Sequence, residues 1–376
     1  MVRKLAMRCA ASVAALSLAA APSGAQSLEA RSDQRVELMS IIFRLAGNPE
    51  YSRGMVPSYE AAIDKHFQPF HDHAAVRLAQ ELRRKDGVAY DAVISLAVHV
   101  TNIETLAERV PLDQPGILLD ARWHGAKART FLEAARRFVA ETRYLEFVQA
   151  QKSLYESASR RISSFAGSAL DQSWFSRFFG SPAGAQFIVV PGLVNGRSNY
   201  GAKFRGADGR EELYAILGVW VVDSAGAPVF PPVLNDVLVH EFVHSYANPL
   251  IDTHGRELNA AAAQIFRPVA EAMRKQAYGE PRVVLYESLV RACVARYALA
   301  HGGEAAARRD IDGDRQDSFV WAQELYDLLG EYERLRAAYP TLEFFMPKVA
   351  EYFQGLGPRV PSLLKGTAQS RPNSSP

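Results

Sequence analysis

The stretch VLVHEFVHSYANP, Val237 through Pro249, sets two histidines and a glutamate inside a run that is otherwise almost wholly apolar. Val237, Leu238, Val239, Phe242 and Val243 give such a helix little polar surface, so it belongs in a core. A buried imidazole or carboxylate there has to be paired or bound. In a helix, positions i and i+4 stand one turn apart on the same side. His240 and His244 therefore offer two neutral imidazoles to one borderline ion such as zinc, and Glu241 sits beside them where it can meet a water. That is the physical content of His-Glu-x-x-His. The competing reading, a helix that merely contains a satisfied histidine pair, does not explain why the pair lies in apolar surroundings.

A zinc hydrolase needs a third protein ligand and an open position. One arrangement places a Gly three residues past the second His and a third His three beyond that. Here those positions hold Ala247 and Leu250, and Pro249 interrupts the continuation, so that arrangement fails. The polar candidates close by are Asp252, His254 and Glu257. Farther on, VVLYESLVRACVARYALA is a second apolar helix carrying Glu287 and Arg291 one turn apart. Folded back against the first helix, it would bring Glu287 to the metal with Arg291 balancing charge behind it. The alternative is a buried Glu287–Arg291 ion pair. A developing oxyanion also needs a donor besides the metal. Tyr200, Tyr246, His254 and Tyr286 are the candidates. Tyr246 points off the His240/His244 face by helical phase, and Tyr200 lies in the polar NGRSNYG next to a sheet edge. Its alternative role is that of an ordinary packing tyrosine.

The chain around these helices is that of a folded protein. With 376 residues, 48% hydrophobic and 22% charged, it can bury the core of one or two domains. Its start is different. MVRKLAMRCAASVAALSLAAAPSGAQS has a basic opening, an apolar run to Ala21 and the small-residue site Ser23-Gly24-Ala25. Residues 1–25 read as a secretory signal peptide cut before Gln26, since the apolar run is shorter than the roughly 17 residues of a membrane span. Cleavage removes three basic residues and no acidic ones, taking the formal charge from +2 to −1. No basic field remains to attract nucleic acid. Cys9 leaves too, so Cys293 stands alone in an apolar helical pattern and no disulfide framework is possible. The expectation is a periplasmic or secreted protein whose mature chain does not insert into a membrane.

From about Val36 to Phe165 the apolar period is helical. Helices end at Gly47 and Gly87 and break at Pro69, and two longer ones fall near 124–142 and 145–164. After Pro182 the pattern changes. AQFIVVPGLV, RSNYGAKF and EELYAILGVWVVD read as strands, with EELYAILG the preferred free edge for pairing with an extended peptide. Helices then cover 257–277, 282–301 and 315–336. HGGEAAARRDIDGDRQ reads as a polar connection, and its DIDGD lacks the further oxygen ligands of a calcium loop, leaving a solvated loop. The fold class is α+β, predominantly helical, with a small antiparallel or mixed sheet beside a zinc-bearing helix, zincin-like. The organisation is a helical N-terminal lobe over 26–182, a metallohydrolase core over 183–360 and a loose tail over 361–376.

SYEAAIDKHFQPFHDHAAVRLAQEL, GVAYDAVISLAVHV, NYGAKF, ELYAILG, HEFVHSYANP and YESLVRACVARY, spread over roughly residues 40–300, resemble the DUF4932 family of bacterial proteins. Members of that family look like zinc metallopeptidases of the gluzincin type. The resemblance implies His240, His244 and Glu287 as zinc ligands and Glu241 as general base. YESLVRA lacks the Asn-Glu-x-x-x-Asp form of the thermolysin-like members, so their specificity and auxiliary histidine do not carry over. The expected function is an exported zinc-dependent hydrolase acting on peptides or proteins. The rivals are an amidohydrolase for some other amide and a non-catalytic exported protein with a vestigial metal site.

Overall fold

A computed structural model of the chain describes residues 27–180, 185–276 and 278–369. The signal peptide expected at 1–25, the Pro182–Gly184 transition and the tail from 370 onward lie outside the described residues.

The first half folds as its apolar period requires. Helix α1 (Gln34–Leu45) is buried on nearly every side and is capped by Asp33, whose side chain accepts from the Arg35 N–H. Helix α2 (Pro57–Phe67) gives way to a 3₁₀ turn containing Pro69. Helix α3 (Ala74–Asp86) stops on Gly87, whose φ of +70° closes the helix in the left-handed region. Helix α4 (Asp91–Val98) is short and, past its first residue, buried. Then come α5 (Gly125–Glu141), α6 (Tyr144–Ala150), α7 (Lys152–Ala169) and the aromatic α8 (Gln172–Phe179). The second of the two long helices read from the sequence is thus interrupted, at Gln151.

Four strands form one mixed sheet. They are β1 (Ser27–Ala30), β2 (Gln186–Gly192), β3 (Tyr200–Arg205) and β4 (Glu211–Gly218), in the order β1-β2-β4-β3. β1, β2 and β4 run parallel, and β3 is antiparallel to β4. The preferred edge is therefore misplaced in the sequence reading. EELYAILG has both sides taken, by β2 and by β3, and the edge on this side of the sheet is β3. A two-residue hairpin, β5 (Val221–Val222) with β6 (Pro228–Val229), follows.

β1 comes from the start of the described chain yet pairs with β2, so the first half is stitched into the sheet of the second. A polar chain reinforces the join. Arg35 pairs with Asp33 at 2.5 Å and donates to the Tyr214 hydroxyl of β4 at 3.2 Å, and Tyr214 donates to Glu212 at 2.6 Å. Arg109 closes the chain on Glu212 at 2.5 Å. Burying these charges is tolerable because each one is paired. The apolar residues of both halves form one cluster.

The second half carries α9 (Leu234–Thr253), α10 (Gly255–Lys275), α11 (Pro281–Gln316), α12 (Ala322–Arg334), α13 (Leu342–Leu356) and α14 (Val360–Gln369). HGGEAAARRDIDGDRQ is no solvated connection. α11 kinks at Gly303 (φ 71°, ψ −173°) and runs on helically through the segment, burying Ile311 and Asp314. The tail expected to be loose is helical as far as Gln369. Among the described residues no helix is long and apolar enough to cross a membrane.

Candidate metal centre

α9 owes its central place to its sequence. Apolar residues face β3 and β4 on one side and α11 on another. The helix continues through Pro249 instead of ending there. β3 lies very close: a Cβ on Gly201 would stand 2.8 Å from the Glu241 carbonyl oxygen. By strand alternation Gly201 and Lys203 face α9. Tyr200, Ala202 and Phe204 turn to the other face, toward the N-terminal helices.

α11 crosses α9 with Glu287 opposite the two histidines. His240 Nε2 and His244 Nε2 are 3.0 Å apart. Glu287 straddles them, Oε1 at 3.4 Å from His244 Nε2 and Oε2 at 3.5 Å from His240 Nε2. Taking a single atom from each residue, the three ligand atoms lie within 4.8 Å of one another. A tetrahedral ion bound at about 2.0–2.1 Å separates its ligands by about 3.3 Å, close to these spacings. Glu287 Oε2 is also buried without a hydrogen bond, an orphan that a cation would satisfy. Two imidazoles, a carboxylate and this spacing fit a metal ion.

The electrostatics have identifiable causes. Burial alone would raise the Glu287 carboxyl, but His244, His240 and Arg291 outweigh it and hold it down at about 2. Burial keeps the His240 imidazole neutral. Burial also works against charge on His244, yet Glu287 and Asn248 favour its protonated form and push it upward. The facing Nε2 atoms have room for only one proton between them, and it must leave before both can bind a cation. Glu241, only 7% exposed, is pushed up to about 7 by burial, with His244 pulling it down and Glu287 and Asp91 pushing it further up. A carboxyl poised there is matched to proton transfer near neutrality.

Of the candidates read from sequence, the structure gathers His240, His244 and Glu287, with Glu241 next to them on α9. Arg291 is 3.7 Å from Glu287, but its shortest bond is to Asp314 at 2.6 Å, with Asp317 at 3.3 Å and the Phe319 ring beneath it. It is thus shared between Glu287 and a pair of aspartates, so the simple Glu287–Arg291 pair is not what is found. His254 is not brought to the triad. It lies ten residues beyond His244, about 15 Å along the helix axis by helical rise, where it pairs with Glu257. Asp252 bonds the Tyr286 hydroxyl, which occupies both. Tyr246 packs on Phe179, off the metal face as its phase requires. Tyr200 turns onto the opposite face of β3, its ring 6.1 Å from that of Tyr51. None of the four donor candidates is directed at the triad by these contacts.

Three residues near the triad were missed. Asn248 Oδ1 lies 3.1 Å from His244 Nδ1, so the ring N–H donates to it and Nε2 is left facing the centre. Its position four residues after His244 was a usable signal. Asp314 had none, lying within the supposed loop; burial pushes it up to about 6 while Arg291 pulls it down. Tyr278, whose hydroxyl is 3.5 Å from Arg291, likewise lies in a segment without a pattern. Cys293 is buried, and burial pushes its thiol up, as expected of a packing residue.

No curated protein and no solved structure matches the chain. Residues 28–351 match the family described as "Domain of unknown function (DUF4932)". That match takes in β1, the sheet and both helices of the triad, and the protein belongs to the DUF4932 family.

Proposed function

We propose that the protein is an exported zinc-dependent hydrolase whose substrates are peptides or proteins. The observation that carries this reading is the His240–His244–Glu287 cluster with Glu241 adjoining it. Two imidazoles and one carboxylate are the donor set of catalytic rather than closed structural zinc sites, which favour more ligands and thiolates. Bound there, zinc would supply Lewis acidity, polarising a scissile carbonyl and acidifying water.

The chain's own residues would do the rest. Asn248 fixes the His244 tautomer. Glu287 brings the negative charge that lets two neutral imidazoles hold a dication, and Arg291 steadies that carboxylate from behind. Glu241 takes the proton of the attacking water and, with an affinity near neutrality, hands it to the departing amine. β3 is the edge strand on this side of the sheet and its Gly201 lies against the Glu241 backbone, so its edge is the natural place for an extended substrate to pair. Export rests on the basic start, apolar run and Ser-Gly-Ala site of residues 1–25. N-terminal sequencing of the exported product should read Gln26 or a close neighbour.

The deciding experiment is Glu241→Gln. It keeps the helix and both imidazoles but removes the base, so zinc content should hold at about one per chain while turnover falls about 10²- to 10⁴-fold. Equal turnover by the variant would sink the mechanism. A wild-type chain that binds zinc but cleaves neither peptides nor other amides would leave a non-catalytic metal site. Cleavage of non-peptide amides alone would move the assignment to an amidohydrolase.

A further inference from the structure

The arginine beside Glu287 stops just short of it. Arg291 Nε faces Glu287 Oε2 across 3.7 Å, beyond a hydrogen bond, and among the described residues each of these two atoms is buried with no hydrogen-bond partner. Side chains four apart on a helix are neighbours, and a buried arginine with only this carboxylate to meet would close on it, because both orphaned atoms would then be satisfied. The guanidinium is therefore drawn away at its other end. Nη1 donates to Asp314 Oδ1 at 2.6 Å and to Asp317 Oδ2 at 3.3 Å, and Nη2 donates to the Tyr278 hydroxyl at 3.5 Å. The Phe319 ring lies under the same group, its centroid 4.5 Å from Cζ. Among these partners Asp314 has the strongest hold. Its bond is the shortest and its carboxylate is buried, whereas Asp317 is exposed and screened by solvent.

Asp314 reaches Arg291 only because α11 is broken. In a straight helix the 23 residues between them would span about 35 Å. Gly303, with φ 71°, takes the left-handed region and lets the second half of α11 turn back, so that Asp314 meets the first half. The consequence falls on the ligand set. Glu287 Oε2 is the oxygen that faces His240 Nε2 at 3.5 Å. A guanidinium closed on Oε2 would occupy it, and a cation would have to displace that bond before binding.

We propose that Asp314 is a positioning residue for the metal centre, one that draws the Arg291 guanidinium aside and so keeps Glu287 Oε2 open to a cation. The proposal rests on the zinc reading given above and is independent of the substrate. The test measures zinc affinity of the full chain by competition with a chromophoric chelator, together with crystal structures of the metal-free proteins. Asp314→Asn should weaken zinc binding about 10- to 100-fold. Its metal-free structure should show an Arg291 nitrogen within about 3 Å of Glu287 Oε2. Adding Arg291→Met to Asp314→Asn removes the group that closes, and should recover most of the lost affinity. A merely structural role for Asp314 predicts a loss that the second substitution does not recover, with Arg291 unmoved in the crystal, and either result overturns the proposal. Should Asp314→Asn not fold, Asp317→Asn loosens the exposed end of the same clamp and should weaken zinc binding about threefold; affinity equal to wild type then counts against the proposal. If wild type binds zinc and the variants match it, the proposal alone fails. If wild type binds no zinc, the metal reading fails and the proposal falls with it.

Discussion

Replacing Gly201 with alanine probes how closely β3 is seated on the helix that bears the site. The added Cβ would meet the Glu241 carbonyl oxygen at 2.8 Å and the His244 Cβ at 3.6 Å. The first contact is with helix backbone, which cannot swing aside. Restoring an ordinary separation of about 3.4 Å requires β3 and α9 to part by about 0.6 Å, an overpacking that costs about 1–3 kcal/mol. Alanine recovers a fraction of this, since glycine in a strand is worse by roughly 0.5–1 kcal/mol. The net loss should be about 1–2 kcal/mol, lowering Tm by roughly 1–3 °C in a chain of this size. Activity should suffer more than stability. A displacement of about 1 Å can cost 10²-fold in rate, so roughly tenfold is expected in kcat/KM. Zinc content should not change, because the ligands come from α9 and α11 and none from β3. Differential scanning calorimetry, peptide turnover and elemental analysis on one preparation test all three. A variant with unchanged Tm and turnover would refute the close seating of β3. Loss of zinc would show that the push reaches His244 and that β3 does more than position Glu241.

Three further outcomes follow from the same contacts. Asn248→Ala frees the His244 ring to change tautomer, and competition with a chelator should show zinc affinity reduced about 10- to 100-fold. Glu287→Ala removes a ligand and should strip zinc during purification; normal zinc content in a folded variant would require a different third ligand. Glu37 is a buried carboxyl held to Tyr59 at 2.8 Å and to the Leu193 N–H at 3.1 Å, and burial pushes it from 4.5 up to about 7. As pH rises through that window the unfolded chain releases the proton first, so stability falls, by on the order of 3 kcal/mol once pH 7 is passed. Other raised carboxyls, Glu241 and Asp314 among them, titrate in the same window, so Glu37→Gln should make the decline between pH 5 and pH 8 in urea titrations smaller by about that amount, whereas equal losses in both proteins would contradict it.

What was legible in the sequence had a local cause. The helix of His240 and His244 announces itself because polar groups at one-turn spacing interrupt an apolar run, and Glu287 because a lone carboxylate does the same in α11. Gly87 marks the end of α3 because only the left-handed region closes that helix cheaply. What was not legible depends on partners distant in sequence. Four residues of β1 carry no period, and they become a strand only because β2 offers a parallel edge 159 residues later in register, Ser27 against Gln186. EELYAILG looks equally suited to an edge or an interior place, and only the parallel docking of β2 decides it. DIDGD has the composition of a loop, and Asp314 is drawn into the core by an arginine on the preceding half of α11, 23 residues earlier. The same asymmetry separates ligands from their supports. A candidate ligand set is written in residue type and helical spacing, so His240, His244, Glu287 and the adjoining Glu241 could be named from the chain alone. The supports around them come from distant segments, Gly201 of β3 against the Glu241 carbonyl and Asp314 and Tyr278 about Arg291, contacts that no spacing encodes. For this protein the residues of the candidate metal centre are therefore open to reading from one sequence, while what holds them in place has to be read from packing.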